Sequence, residues 1–142
     1  MAEDRATEPS RRVSRRGILS HWLPAVGWVI VMFVMSSLPD PERVLGPGLQ
    51  VGDPNAHAIG FFVLMLLWTR LAVFRAGRLS LRAVVGAATA CLVYAVIDEL
   101  HQVPIPGRTF QWADLLSDAV GVALGLAIVV ALGWFRARRS GV

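Results

Sequence analysis

The sequence predicts an all-α fold: a bundle of four transmembrane helices with the N-terminus and the C-terminus both cytoplasmic. Three observations carry that expectation. Four apolar stretches alternate with short polar links, and each is close to the roughly 20 residues a helix needs to cross a hydrocarbon core of about 30 Å. Hydrophobic residues make up 55% of the 142-residue chain and mean hydropathy is +0.56, well above a soluble domain. All 14 basic residues are arginine, gathered in alternate links rather than along one face.

The elements follow in order. Residues 1–19 read as a basic cytoplasmic tail, disordered before Arg15. Within it Ser14-Arg15-Arg16-Gly17-Ile18-Leu19 resembles a twin-arginine export signal, but no small-x-small cleavage site follows, which favours an uncleaved anchor. The first span runs from Trp22 to Leu38 and stops at Pro39; Pro24 falls in its first turn, where a missing N–H costs nothing. Ala56–Phe74, Leu81–Ile97 and Ala119–Phe135 supply the other three spans. Residues 20–135 then form the membrane domain and residues 136–142 a second basic tail.

Arginine placement sets the orientation. Arg5, Arg11, Arg12, Arg15 and Arg16 precede the first span, Arg75, Arg78 and Arg82 flank the middle link, and Arg136, Arg138 and Arg139 follow the fourth. The other two links carry only Arg43 and Arg108, so residues 39–55 and 98–118 face outward. Trp22 and Trp134 then mark the inner interface and Trp112 the outer one. A charge pattern tied to loops in this way argues against nucleic acid as a partner. Cys91 is the single cysteine; it sits mid-span and reads as a small packing residue, with no intrachain disulfide to make.

Most of the chemically capable side chains fall on the outward side. Asp53-Pro54-Asn55-Ala56-His57 opens the second span, with Asp53 placed to cap the helix and His57 one turn in. Asp98-Glu99-Leu100-His101-Gln102 closes the third. Asp98 and Gln102 share a helix face, and Glu99 adjoins Gln102. Gly86, Ala90 and Tyr94 continue the Asp98 line upstream as a face small enough for close packing. Acids at a helix C-terminus oppose its dipole, so something must offset them. Pro104-Ile105-Pro106-Gly107-Arg108 makes a turn, and Arg108 is the natural cation for Glu99, Asp98 or Asp114, or for a carboxylate or phosphate ligand. Asp114 and Asp118 open the fourth helix, where Ser117, Gly121 and Gly125 make small-xxx-small steps toward a neighbour. Asp53, Asp98, Glu99, Asp114 and Asp118 face one arginine, with His57 and His101 as optional cations. Some carboxylates must be protonated, turned to water, or joined by a cation or cationic ligand. No His-Glu-x-x-His spacing occurs, and the sequence assigns neither a metal nor a cofactor.

These blocks, in this order, resemble the VanZ-like family of small bacterial membrane proteins. That family shows Asp-Lys-x-x-His, Asp-Glu-x-x-Gln, Pro-Gly-Arg and Asp-x-x-x-Asn-x-x-Gly blocks. The chain matches at Asp53 and His57, at Asp98, Glu99 and Gln102, at Pro106, Gly107 and Arg108, and at Asp114 and Gly121. Ser36-Ser37-Leu38-Pro39 is similar to the polar end of the family's first helix, and the likeness spans roughly residues 25–130. Pro54 stands where the family has lysine and Asp118 where it has asparagine, and both changes make the site more negative. The resemblance implies a bacterial cytoplasmic (inner) membrane protein, in a family whose namesake is associated with reduced susceptibility to teicoplanin-type glycopeptides.

The first functional expectation is an extracytoplasmic polar site that binds or acts on a cell-envelope component, with membrane lipids and a lipid-linked or cell-wall ligand as partners. In that reading Glu99, Asp98 and His57 are the candidate acid/base residues. Arg108, Gln102, Asp114, Asp118 and Asp53 are the candidate ligand-binding residues. The alternative is a structural or regulatory subunit whose polar cluster only fixes helix packing. Transport is disfavoured, because only Thr89, Cys91 and Tyr94 carry polar groups toward the midplane.

Overall fold

The computed structural model describes residues 15–39 and 54–139, and among these every regular element is a helix. Helix α1 spans Arg15–Ser36, α2 Pro54–Ala76, α3 Leu81–Gln102 and α4 Trp112–Arg139. Each is long and apolar enough to cross a membrane. At 28 residues, α4 is about 42 Å long, more than a hydrocarbon core of about 30 Å requires. Of the tail expected over residues 1–19, residues 1–14 lie outside the described residues, as does Asp53 with the helix cap assigned to it, while residues 15–19 already belong to α1.

Two helix ends differ from the hydropathy reading in a way that matters. The apolar runs stop at Ile97 and start at Ala119, but α3 continues through Gln102 and α4 begins at Trp112. Asp98, Glu99, Gln102, Asp114 and Asp118 are therefore helical residues facing inward. Hydropathy reports the length of helix that lipid can surround. The backbone ladder continues as long as the polar side chains on it find partners inside the bundle.

Local chemistry sets the remaining ends. Ser80 caps α3, its hydroxyl accepting from the Ala83 N–H at 3.3 Å. Gly77, at φ +71°, reverses the chain after α2, and Gly107, at φ +82°, does so in the link between α3 and α4. Consecutive helices alternate in direction, so α2 and α4 run parallel, and they form the most extensive pair in the bundle. Glycine makes that approach. A Cβ on Gly121 would overlap the Ala58 carbonyl, and one on Gly125 would stand 2.9 Å from Met65 Cβ and Cγ and 3.2 Å from the Phe62 carbonyl. The small-xxx-small steps thus do what the sequence suggests, with Ser117 half-buried and bonded to its own Ala113 carbonyl.

The core is built from Phe61, Leu64, Met65, Val84, Ala87, Cys91, Ala95, Val122 and Val129. Cys91 is fully buried, as a packing residue should be. The buried line on α3 is Val84, Ala87, Cys91, Ala95, Asp98, which corrects the expected line through Gly86 and Ala90. Repeated four-residue steps drift around a 3.6-residue helix, and a mix of three- and four-residue steps keeps one face inward. Gly86 is exposed and nothing lies within 4 Å of where its Cβ would be. Helix α1 packs on α2, held by a hydrogen bond from Trp28 Nε1 to the Gly60 carbonyl (2.9 Å), and Tyr94 reaches the Val29 carbonyl at 3.3 Å.

The polarity pattern is inverted relative to a soluble bundle. Leu23, Ile30, Ile59, Leu81, Ile97 and Leu124 are exposed, while Ser36, His57, Thr69, Asp98, Glu99, Gln102, Asp114 and Asp118 are buried. Aliphatic side chains facing outward and ionisable ones facing inward are what lipid as solvent selects. The two ends of the bundle also differ. At one end Arg75 lies over the Trp22 ring, His21 stacks on Phe74, and Arg138 stands 3.6 Å over Trp134. The buried acids lie at the other end.

Candidate functional site

His57 is the centre of the acidic end. It enters the first turns of α2 beside Ala58, whose carbonyl is the group against which Gly121 packs. The same close approach brings His57 against the first turns of α4. Its Nδ1 lies 3.0 Å from Asp118 Oδ1, and its Nε2 lies 3.7 Å from Asp114 Oδ2. The glycine contact therefore aligns the histidine with two carboxylates on a parallel helix.

From α3 come two more acids. Asp98 Oδ1 accepts a 2.7 Å hydrogen bond from Ser36 Oγ, at the last turn of α1. Gln102 Nε2 reaches Asp98 Oδ2 and Glu99 Oε1, each at 3.4 Å, as the three- and four-residue spacings require. Glu99 Oε2 accepts from the Gln111 N–H at 3.0 Å. The Gln111 carbonyl in turn accepts from Asp114 N and Leu115 N, so Gln111 is the cap of α4. That geometry answers the dipole problem: Glu99, at the unfavourable end of its own helix, is placed against the favourable end of α4.

Asp98, Glu99, Asp114 and Asp118 are between 0% and 4% exposed, and Gln102 is 2% exposed. Donors are fewer than acceptors. Among the described residues, Asp114 Oδ2 and Asp118 Oδ2 are buried with no hydrogen-bond partner. Even at an effective dielectric of about 20, two like unit charges 4 Å apart repel by about 4 kcal/mol. Full ionisation of four enclosed carboxylates beside one imidazole is thus costly without further positive charge.

Arginine does not provide it among the described residues. Arg108 was the expected counter-ion for Asp98, Glu99 or Asp114; instead its Nε donates to the Leu38 carbonyl at 3.4 Å, and no ion pair joins it to those acids. The turn that carries it folds back on the end of α1, where Gly107 lies near the Pro39 carbonyl. His101 also leaves the cluster, pairing with Ser37 Oγ at 3.0 Å and stacking on Phe33. Asp53 lies outside the described residues. The structure thus brings together His57, Asp98, Glu99, Gln102, Asp114 and Asp118. It adds two groups that sequence reasoning did not assign to the site, the Ser36 hydroxyl and the Gln111 amide. A serine ending an apolar span was the available signal for the first; the second is a backbone group and leaves no mark in residue type.

Beside this cluster an apolar cleft of about 330 Å³ opens between α1 and α2. Trp28, Val31, Met32, Ile59 and Phe61 line it, and Ser36, His57 and Asp98 form its polar end. Val31 and Ile59 are exposed, so the cleft communicates with the outer surface of the bundle.

Comparison with known proteins adds the family. No curated protein and no solved structure matches the chain. A family model described as VanZ/LLP1 matches residues 32–135, a stretch that runs from the last turns of α1 almost to the end of α4 and contains every member of the cluster from Ser36 to Asp118. The chain is a multi-pass membrane protein and belongs to the VanZ/LLP1 family.

Proposed function

We propose that this protein binds an envelope lipid or lipid-linked cell-wall component at the outer face of the bacterial cytoplasmic membrane. The observation that carries the reading is the cleft between α1 and α2, whose walls are apolar and whose end is Ser36, His57 and Asp98. An amphipathic ligand fits that gradient: an acyl or prenyl chain along Trp28, Met32 and Phe61, and a polar head at the histidine and the acid. Arginine at the opposite end of the bundle supports termini inside and the cluster outside. If the bound component also reacts, Glu99 and His57 are the acid/base pair, since both are buried and offer ligand atoms within 4.8 Å of each other. Altered handling of such a component would be the route to an effect on teicoplanin susceptibility.

The test is the lipid that purifies with the protein in mild detergent, identified by mass spectrometry. Val31→Trp fills the cleft from its exposed rim, and Leu124→Trp places the same side chain at an exposed position on α4 outside the cleft. The reading expects a discrete lipid class on wild type and Leu124→Trp and its loss from Val31→Trp. Equal lipid on all three, at equal abundance, contradicts it.

One observation favours the second reading, a cluster that only fixes packing. The polar contacts draw on all four helices: Ser36 on α1, His57 on α2, Asp98, Glu99 and Gln102 on α3, and Asp114 and Asp118 on α4. That reading expects Glu99→Gln and His57→Ala to vanish from the membrane rather than to persist without ligand.

A further inference from the structure

We infer that His57, Glu99 and Asp114 form a site for a divalent transition-metal cation of the zinc or manganese type. The three come from three different helices, all are buried, and one ligand atom from each lies within 4.8 Å of the others. A tetrahedral ion with bonds of about 2.1 Å holds its ligands about 3.4 Å apart, so a modest inward rotation of side chains completes the set.

Two further observations separate this from an ordinary group of acids. The first is the histidine. Its Nδ1 is 3.0 Å from Asp118 Oδ1, and a proton donated there leaves the lone pair on Nε2, the atom that faces Asp114 Oδ2 at 3.7 Å. A carboxylate that fixes the ring and its tautomer from behind is the usual support of a metal-bound imidazole. The second is Asp114 itself, 2% exposed, with its Oδ2 lacking a hydrogen-bond partner among the described residues although it lies 3.7 Å from the imidazole Nε2. An enclosed carboxylate oxygen without a donor is the group a cation would satisfy. Glu99 is already oriented, with Oε2 on the Gln111 amide and Oε1 near Gln102.

One nitrogen and two carboxylates suit zinc or manganese better than an all-oxygen site suited to calcium or magnesium. Bound there, the ion would supply the positive charge that Arg108 does not bring to the cluster. Resting on the lipid reading above, it would also offer an open position to an anionic oxygen of the headgroup at the end of the cleft. The metal site itself does not depend on that reading.

The experiment uses the full-length protein in detergent, freed of any purification tag and stripped with chelator, then titrated with Zn²⁺, Mn²⁺, Mg²⁺ or Ca²⁺ alone. Wild type is expected to bind one Zn²⁺ or Mn²⁺ per chain. His57→Ala, Glu99→Gln and Asp114→Asn are expected to weaken binding at least about tenfold. His21→Asn, a histidine at the opposite end, should bind as wild type does. Each variant's chelator-treated melting curve establishes that it is folded. Failure of wild type to bind, a preference for Mg²⁺ or Ca²⁺, or binding that survives in folded Asp114→Asn and His57→Ala overturns the inference. None of these outcomes uses lipid, so the metal site can fail while the cleft still binds its ligand.

Discussion

Ser36 and Asp118 show how much individual contacts decide here. The Ser36 hydroxyl is the shortest hydrogen bond to a cluster carboxylate, at 2.7 Å from Asp98 Oδ1. Ser36→Ala leaves that oxygen without its donor and should cost about 1.5–3 kcal/mol, read as a lower melting temperature in detergent. Ser37→Ala also removes a hydroxyl, but a half-buried one that meets the Phe33 carbonyl and the His101 ring rather than a cluster carboxylate, and should cost less. At Asp118 the sign of the change depends on what remains. Asp118→Asn keeps an oxygen for the His57 Nδ1–H and should leave membrane abundance unchanged. Asp118→Leu strands that N–H in the interior and should cost about 1–3 kcal/mol, seen as reduced abundance. The identity of these residues as polar groups in an apolar chain was legible in the sequence. Their pairing was not: spacing along α3 places Gln102 beside Asp98 and Glu99, but no spacing rule joins His57 to Asp118, which lie on different helices and meet only through packing. The same limit explains Arg108. Charge complementarity alone pointed it at the acids, whereas the Pro104–Gly107 turn directs it to the end of α1.

The pair α2–α4 is the element on which the site depends, and its glycines are not equivalent to the others. Gly121→Leu would force a side chain into the Ala58 carbonyl, part α2 from α4 and separate His57 from Asp118 and Asp114. Loss of the folded protein from membranes is the expected result, measured by quantitative immunoblotting. Gly86→Ala on α3 meets open space and should be neutral or stabilising by about 0.5–1 kcal/mol, since glycine in a helix interior is unfavourable relative to alanine. Four helices, their order and the small-residue stripe on α4 could be read from hydropathy and spacing, because lipid imposes both directly. The ends of α3 and α4 could not, because Asp98–Gln102 and Asp114–Asp118 look like interface residues until their partners across the bundle are known.

For the whole molecule, arginine-rich and acid-rich ends lie opposite each other, which makes the orientation testable. In a Cys91→Ala background, a cysteine at Gly107 should react with an impermeant thiol reagent added outside intact cells. One at Gly77 should react only after the membrane is opened, and the reverse pattern would invert the assignment. This 142-residue membrane protein keeps four acids and a histidine enclosed in its bundle. If the cluster is maintained for a ligand, it is held at the expense of stability, and Asp114, whose buried oxygen lacks a donor among the described residues, carries much of that cost. The decisive measurement is the melting temperature of purified wild type and Asp114→Asn in the same detergent with chelator present. A site kept for a ligand predicts that Asp114→Asn melts higher, by about 2–4 °C for each kcal/mol of relieved repulsion. A clearly lower melting temperature would contradict it and make Asp114 a structural partner of His57.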